Sequence, residues 1–244
     1  MTRAARRLTP FATIAVALTL AACGGGDTPP PDTSTGAEAS SVTETAPEAL
    51  DNPEQQQVDA EQAKAALPKA TDLTGSGWAD STLISNGKAT YDPAVCADVE
   101  LDSKEARAVK DEHRTVREEA RYQRDHNGDL EITLTSIDSH DQPYPLSILD
   151  AAGQHVTDCA SYTWTRDGSP SNRRVEAIST PQLGDRSFGL RLSSEGGDSY
   201  VDRLYVRSGH NLITVMVSTH SEKYDGALMT KYAQDILDRL KKTP

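Results

Sequence analysis

The sequence is short of positive charge. Lysine and arginine together number 25, against 37 aspartate and glutamate residues, and the formal net charge is −12. Proteins that bind nucleic acid need a positively charged surface, and anionic lipid head groups attract basic rather than acidic segments. The overall charge therefore argues against nucleic acid as a partner, and it disfavours electrostatic adhesion to a membrane surface.

The sequence also lacks an apolar run long enough to cross a bilayer, which takes about 20 residues. Its one candidate, residues 11–22, is shorter, follows Arg3, Arg6 and Arg7, and ends in small residues. This order is typical of a secretory signal, so residues 1–22 are predicted to be a signal peptide. The arginine pair leaves the general and the twin-arginine export routes both open.

The end of this segment, Leu20-Ala21-Ala22-Cys23, resembles the bacterial lipobox. The resemblance implies that Cys23 becomes the lipidated N-terminus, with acyl groups such as palmitate that insert into the bilayer. Two or more acyl chains make a stable anchor, whereas one holds a protein only marginally. The alternative is an ordinary secreted protein with a chance cysteine. The alanine- and threonine-rich composition suggests an actinobacterium, in which the anchor would lie on the outer face of the cytoplasmic membrane.

Residues 24–63 contain no lysine or arginine and are rich in acidic, proline, serine and threonine residues. Such a segment buries too little apolar surface to offset its ordering entropy, so residues 23–58 are predicted to be a disordered acidic tether. As a flexible coil it would span roughly 30 to 35 Å. Residues 59–244 remain, enough for a single globular domain with its own core.

Cysteine is scarce, at three residues in the chain. With Cys23 assigned to the lipid, Cys96 and Cys159 are left as one pair in an oxidising compartment, and a disulfide is predicted. The alternative is two free thiols, one of them reactive. Neither cysteine belongs to a C-x-x-C motif or has the histidine or basic neighbours that lower a thiol pKa, which favours the disulfide.

Local patterns predict an α+β domain built on an antiparallel twisted β-sheet. Apolar residues alternate with charged ones on both sides of Asn127-Gly128, the strongest short-range hairpin signal. Another strand is predicted around Val175. A three-stranded antiparallel meander is predicted from residues 188–192, 200–206 and 212–217.

N-terminal, central and C-terminal helices are predicted to pack on this sheet, at residues 59–67, 145–164 and 221–242. In each, apolar residues recur at spacings of three and four. Proline precedes the central pattern, as it often does at a first helical turn, and the spacing puts Cys159 on the buried stripe. A short helical turn is predicted at residues 93–96, which carries Cys96.

This order of elements resembles the extracellular sensor domain of PknH-type mycobacterial serine/threonine kinases. The resemblance rests on a small helix leading to Leu67-Pro68 with Gly77-Trp78 downstream, a turn with Cys96, a hairpin, a helix with Cys159, further strands and a final helix. It covers residues 59–244. The family typically has two disulfides and a tryptophan just before its helix cysteine, whereas this chain has one pair and Trp164 after Cys159. The resemblance implies a cleft for an unidentified small ligand and supplies no catalytic residues.

Motifs for chemistry are sparse. Ser85-Asn86-Gly87-Lys88 fits the S-x-x-K form of penicillin-binding enzymes, but Asn86-Gly87 is a turn signal and the K-T-G and S-D-N partners are missing. The six histidines are scattered without metal-site spacing. Asp138-Ser139-His140-Asp141 could hold a cation in a loop, although a solvated turn explains it more simply. No catalytic residue, metal site or cofactor is predicted.

Tyr162 and Trp164 precede Arg173 and Arg174, an aromatic and basic group in an acidic protein. Such groups often meet anionic or sugar ligands, so these four residues are the candidate ligand cleft. The structural alternative is that Trp164 closes the core and the arginines protect a sheet edge.

The leading hypothesis is a membrane-anchored, non-catalytic domain that binds a small ligand or an envelope protein. The alternatives are a cell-wall enzyme or accessory factor whose site has no local motif, and a lipid carrier.

Overall fold

The computed structural model describes residues 49–82, 87–126, 128–197, 199–220 and 223–242. The predicted signal peptide, most of the predicted tether, Cys23, and Ser85-Asn86 of the S-x-x-K match lie outside these residues. Within the described part of the chain, no helix has the length and apolarity needed to cross a membrane.

Nine strands in the described residues form one antiparallel sheet. They are β1 (Ala79–Asp80), β2 (Ala89–Asp92), β3 (Arg114–His126), β4 (Asp129–His140), β5 (Ser161–Arg166), β6 (Ser169–Ile178), β7 (Arg186–Ser194), β8 (Ser199–Ser208) and β9 (Asn211–His220). Their order across the sheet is β1-β3-β4-β9-β8-β7-β6-β5-β2. With the helices described below, this arrangement confirms the predicted α+β fold class.

The hairpins follow from the sequence pattern. β3 pairs with β4 from the turn outwards, beginning at His126 opposite Asp129, and Gly128 supplies the positive φ of 86° that the turn requires. β7, β8 and β9 form the predicted meander. The strand predicted around Val175 is β6, which pairs with β5 on one side and β7 on the other.

The described residues contain four α-helices, and each is preceded by a capping side chain or by a proline. They are α1 (Ala60–Ala66), α2 (Lys104–His113), α3 (Leu146–His155) and α4 (Gly226–Leu240). An oxygen of Asp59 accepts a hydrogen bond from the Gln62 backbone N–H at 2.8 Å and caps α1. Asp225 caps α4 in the same way. A helix N-terminus leaves several N–H groups without intrahelical partners, and such caps satisfy one of them.

The predicted central helix is wrong over its second half. α3 ends at His155, and β5 follows from Ser161 to Arg166. The run from Tyr162 to Thr165 is made of β-branched and aromatic residues, which fit a pleated strand better than a helix. The helical spacing that extended the prediction to Trp164 was therefore continued too far.

Two smaller differences concern α2 and α4. α2 was not predicted because seven of its ten side chains are polar or charged and only Ala106 is buried, so it has almost no apolar stripe to detect. α4 begins at Gly226 rather than at residue 221, because the Asp225 side chain caps it there.

Two hydrophobic cores lie on opposite faces of the sheet. Leu212 and Ile213 are consecutive in β9 but belong to different cores, since successive side chains of a strand point to opposite faces. On the first face, α1 packs against β3 and α4, and α4 packs over β8 and β9, with Tyr232 and Ile236 of α4 fully buried. The four-residue spacing of the C-terminal helix produces this buried side.

The second face is covered only in part. Ile148, Leu149 and Ala152 of α3 and Ala106 of α2 pack there against strands of the second core. Three apolar residues of the same face, Ile132, Leu134 and Met216, belong to neither core and are only half-buried. The region where β3, β4, β9 and β8 meet on this face is thus left open by the helices.

A disulfide joins Cys96 to Cys159 across the second core. Cys96 lies in the short helical turn Ala94–Ala97, and Cys159 follows the end of α3. Their Cα atoms are 5.5 Å apart and both residues are fully buried. The predicted disulfide is therefore formed, although Cys159 lies beyond the helix rather than on its stripe.

Candidate ligand-binding site

The four residues of the predicted cleft divide between the two faces of the sheet. In the β5–β6 pair, Tyr162 lies opposite Arg173 and both point to the second face, together with Trp164. The Arg173 guanidinium lies 3.6 Å from the centre of the Trp164 ring. Arg174 points to the first face and is exposed. The structure thus brings Tyr162, Trp164 and Arg173 together and separates Arg174 from them.

A groove of about 520 Å³ lies on the open part of the second face. We call it the basic groove. Its lining comes from the segment before α2, from α2 itself, and from β3, β4, β5, β6, β8 and β9. The lining residues are Glu100, Leu101, Lys110, Arg114, Arg117, Arg121, Ile132, Leu134, Ser136, Asp138, Arg166, Arg173, Val201, Arg203, Tyr205, Leu212, Thr214, Met216 and Ser218.

The floor of the basic groove follows from strand alternation. Every second residue of β4 from Ile132 to Ser136, and of β9 from Leu212 to Ser218, points into it. The sequence places apolar and small hydroxyl side chains at these positions. Ile132, Leu134 and Met216 therefore form a half-buried apolar strip that none of the four described helices covers.

The rim of the basic groove has the opposite charge to the rest of the protein. Seven lining residues are cationic and two are carboxylates, in a chain where acids outnumber bases. Two depressions elsewhere are larger, about 850 and 760 Å³. One has four acidic and three basic residues and the other five acidic and two basic residues. Charge, rather than volume, singles out the basic groove.

Glu100 holds one wall together. Its two carboxylate oxygens accept hydrogen bonds from Arg173 and Arg203, each at 2.7 Å, and the Tyr162 hydroxyl donates to the same carboxylate. Burial raises the pKa of Glu100, but Arg203, Arg173 and the Tyr162 hydrogen bond outweigh burial and hold that pKa below its usual value. The side chain is only 4% exposed, so Glu100 supports the two arginines from beneath as an anion.

Asp138 plays the same part at the other wall. Its carboxylate accepts hydrogen bonds from Arg117 at 2.8 Å and from Arg114 at 3.3 Å. Asp138 is 4% exposed, whereas the two arginines are 40% and 30% exposed. The cations therefore face the groove and the carboxylate does not. The sequence-based proposal of a cation site or a solvated turn at residues 138–141 is wrong for the first three residues, which are buried at the end of β4.

Lys110 lies between the two walls. Its ammonium group donates a 2.6 Å hydrogen bond to the carbonyl of Leu101, whose φ of +50° is unusual for a residue other than glycine. Burial lowers the pKa of Lys110, while Asp102 and Asp138 act in the opposite direction. The unusual backbone at Leu101 directs its carbonyl to this lysine, next to Glu100.

Sequence reasoning missed most of this groove. Arg117 and Arg121 alternate along β3 and therefore share one face, which is a signal the sequence does contain. Arg203 sits in a strand where nothing local distinguishes it from ordinary charged residues. Asp138 was noticed only as part of a polar cluster, which did not indicate that it holds arginines at a groove. Glu100 lies between a helical turn and a helix, and no pattern marks it.

No family model matches the chain, and no curated protein matches it. Among solved structures, the chain is similar to the extracellular domain of PknH from Mycobacterium tuberculosis, with 13% identity, 78% of this chain and 100% of that chain covered, and a TM-score of 0.56. It also matches an uncharacterised protein from Mycobacterium smegmatis, with 14% identity, 73% and 98% coverage and a TM-score of 0.39. The first likeness confirms the predicted fold resemblance.

Proposed function

We propose that this chain, on the fold it shares with the PknH extracellular domain, is a binding or sensing domain for a small ligand outside the cytoplasm. The observation that carries the proposal is the basic groove. Ligand sites are typically concave, of about 300 to 1,000 Å³, with apolar lining and a few convergent polar groups. The uncovered apolar strip of Ile132, Leu134 and Met216, ringed by cations, has these properties.

The side chains that line the basic groove are better suited to binding a ligand than to catalysing a reaction. The described residues that line the groove include no histidine or cysteine. A general acid or base works best with a pKa near the operating pH, whereas the pKa of Glu100 is lowered by the arginines that it orients. Both lining carboxylates are engaged with arginine and serve to hold the wall of the groove. The alternative of an enzyme whose site has no local motif therefore has less support than binding.

The proposed location rests on the sequence of the leader. Lipidated Cys23 would anchor the protein to the outer face of the cytoplasmic membrane, and the acidic tether would hold the domain off the bilayer by roughly 30 Å. The groove would then face the cell envelope, where small ligands or envelope proteins are available to it.

A groove-filling variant tests the proposal. Thr214 lies at the centre of the floor, and tryptophan there would occupy the space of a ligand. The matched control is Thr165→Trp. Thr165 lies in β5 between Trp164 and Arg166, and its side chain points to the first face of the sheet, away from the groove. Each full-length protein is incubated with aqueous and organic extracts of bacterial envelopes and examined by native mass spectrometry.

The expected result is a bound small molecule in the wild type and in T165W, and none in T214W. Equal capture by all three proteins would overturn the proposal. A chemically altered molecule released by the wild type would favour the enzyme. Repeated transfer of intact lipid between vesicles would favour the carrier.

A further inference from the structure

We infer that the ligand of the basic groove is an anionic amphiphile, a single small molecule with a phosphate or carboxylate group on an apolar body. The inference rests on the proposed function and adds the chemical class. It follows from the charge of the rim, from the way the arginines are held, and from the apolar floor between them.

The first argument is surplus charge. Glu100 lies between Arg173 and Arg203, and Asp138 between Arg114 and Arg117, so each carboxylate is shared by two arginines. The Glu100 trio keeps one net positive charge. Glu119 pairs with both Arg117, at 3.1 Å, and Arg121, at 2.9 Å, so these two arginines and Arg114, taken with Asp138 and Glu119, also keep one net positive charge. Lys110 and Arg166 add their own charge to the lining. The groove thus has a positive surplus that the carboxylates among the described residues do not neutralise.

The second argument is the direction in which this charge is presented. The two carboxylates are almost completely buried, while the four arginines bound to them retain 18% to 40% of their side-chain exposure. A guanidinium group has five N–H donors in a fixed planar fork, and one carboxylate uses only part of them. Buried carboxylates that fix exposed arginines prepare those arginines for a second anion, because the cost of ordering the side chains has already been met.

Arg166 offers a third sign of the same chemistry. It lines the groove and stacks over Trp164, with its guanidinium carbon 4.4 Å from the ring centre. Its Nε–H is buried and finds no acceptor among the described residues. Buried donors are nearly always satisfied, so a donor of this kind needs an explanation. An anionic oxygen in the groove would supply the acceptor.

The fourth argument separates an amphiphile from a bare anion. An inorganic phosphate needs only the cations, whereas the floor presents Ile132, Leu134 and Met216 half-buried and outside both cores. Covering such side chains removes apolar surface from water, which favours binding. A ligand with an apolar body would cover this strip while its acidic group lies against the arginines.

The experiment uses probes that share one tail and differ in head group. The protein used consists of residues 24–244, which excludes the apolar leader. It contains all the described residues, and these lie in one compact unit. This protein is titrated by calorimetry with decyl phosphate, decyl maltoside and decyltrimethylammonium, each below its micelle concentration, and with inorganic phosphate. Saturable one-to-one binding of decyl phosphate is expected, at least about tenfold tighter than any other probe, because charge-assisted hydrogen bonds are about twice as strong as neutral ones.

Two variants locate the binding. Arg166→Gln removes a groove cation that has no carboxylate partner among the described ion pairs, and it should weaken decyl phosphate about tenfold while leaving decyl maltoside unchanged. Arg174→Gln is the matched control, because Arg174 lies on the opposite face of the neighbouring strand. Thr214→Trp should abolish binding of decyl phosphate.

The outcomes distinguish this inference from the proposed function. Equal binding of decyl phosphate and decyl maltoside, both lost in T214W, would overturn the anionic class and leave the groove as a ligand site. Tight binding of inorganic phosphate alone would overturn the amphiphile. Binding that neither R166Q nor T214W affects would place the site elsewhere and overturn the inference. No binding of any probe would also overturn the inference. The proposed function would then be tested separately by the mass spectrometry experiment with envelope extracts.

Discussion

Glu100 and Arg203 meet at 2.7 Å although 103 positions separate them in the sequence. The contact joins the segment before α2 to the middle of β8, and Arg173 of β6 reaches the other oxygen of the same carboxylate. Three distant segments therefore depend on one buried side chain. This dependence makes Glu100 the first position to test.

Glu100→Gln should lower the free energy of unfolding by about 3 kcal/mol, because removing one member of a buried ion pair leaves the partner charges uncompensated. Urea unfolding followed by circular dichroism measures the change. The control is Glu195→Gln, whose side chain accepts one exposed hydrogen bond from Asn172 and should change stability by less than about 0.5 kcal/mol. Equal effects in the two variants would contradict the role assigned to Glu100.

The Cys96–Cys159 bond closes a loop with a sequence separation of 63. In the chain-entropy account, replacing both cysteines by alanine should cost about 4 kcal/mol of stability. Thiol titration of residues 24–244 in denaturant without reductant should find no free thiol. Two thiols per chain under those conditions would refute the disulfide.

The burial of His140 leads us to expect that the stability of the protein depends on pH. Burial lowers the pKa of its ring from 6.5, with the His210 carbonyl and Asp138 acting in the opposite direction. The unfolded chain takes up a proton near pH 6.5 and the folded protein resists it. At and below that pH the unfolded state therefore binds more protons than the folded state. The contribution of neutral His140 to the stability of the folded protein is complete above pH 6.5 and is lost as the pH falls below it.

Urea unfolding at pH 8, 7, 6 and 5 checks this expectation for the wild type and for His140→Gln. The stability of the wild type should decline more steeply below about pH 6.5 than that of the variant. Parallel curves would show that other groups cause the decline.

Cys23→Ser tests the proposed anchor. The serine variant cannot accept the diacylglyceryl group, and its fraction in the membrane pellet after alkaline extraction should fall sharply. The Cys96→Ala, Cys159→Ala variant serves as the control, because it lacks the other two cysteines and keeps Cys23. A serine variant that stays on the membrane as firmly as the wild type would exclude lipidation as the means of attachment.

Much of the fold could be predicted because its signals are local. The alternation around Gly128 identifies the β3–β4 hairpin, and the apolar residues of α4 recur every fourth position. The error at Trp164 has an equally local cause, since one helical spacing was extended across a run of strand-forming residues. α2 had too little apolar character to be found at all.

The site was harder to predict, for a different reason. Its residues come from six strands and from α2 with the segment before it, and they meet only because the helices leave part of one face open. Adjacent strand residues point to opposite faces, so Arg173 and Arg174 could not both have lined one cleft. That rule could have been applied to the sequence. The coverage of a sheet face, however, depends on tertiary packing that no short segment encodes.

The disulfide has a consequence for the timing of maturation. Cys96 lies four positions before Glu100, and Cys159 three positions before Tyr162, whose hydroxyl bonds to Glu100. The covalent link therefore clamps both partners of this contact at the wall of the groove. A newly made chain whose cysteines are still reduced would lack the clamp, because thiols persist in the cytosol and are oxidised outside it. If the protein is exported as proposed, export would then be a step in assembling the basic groove, and the proposed binding would begin only outside the cytoplasm.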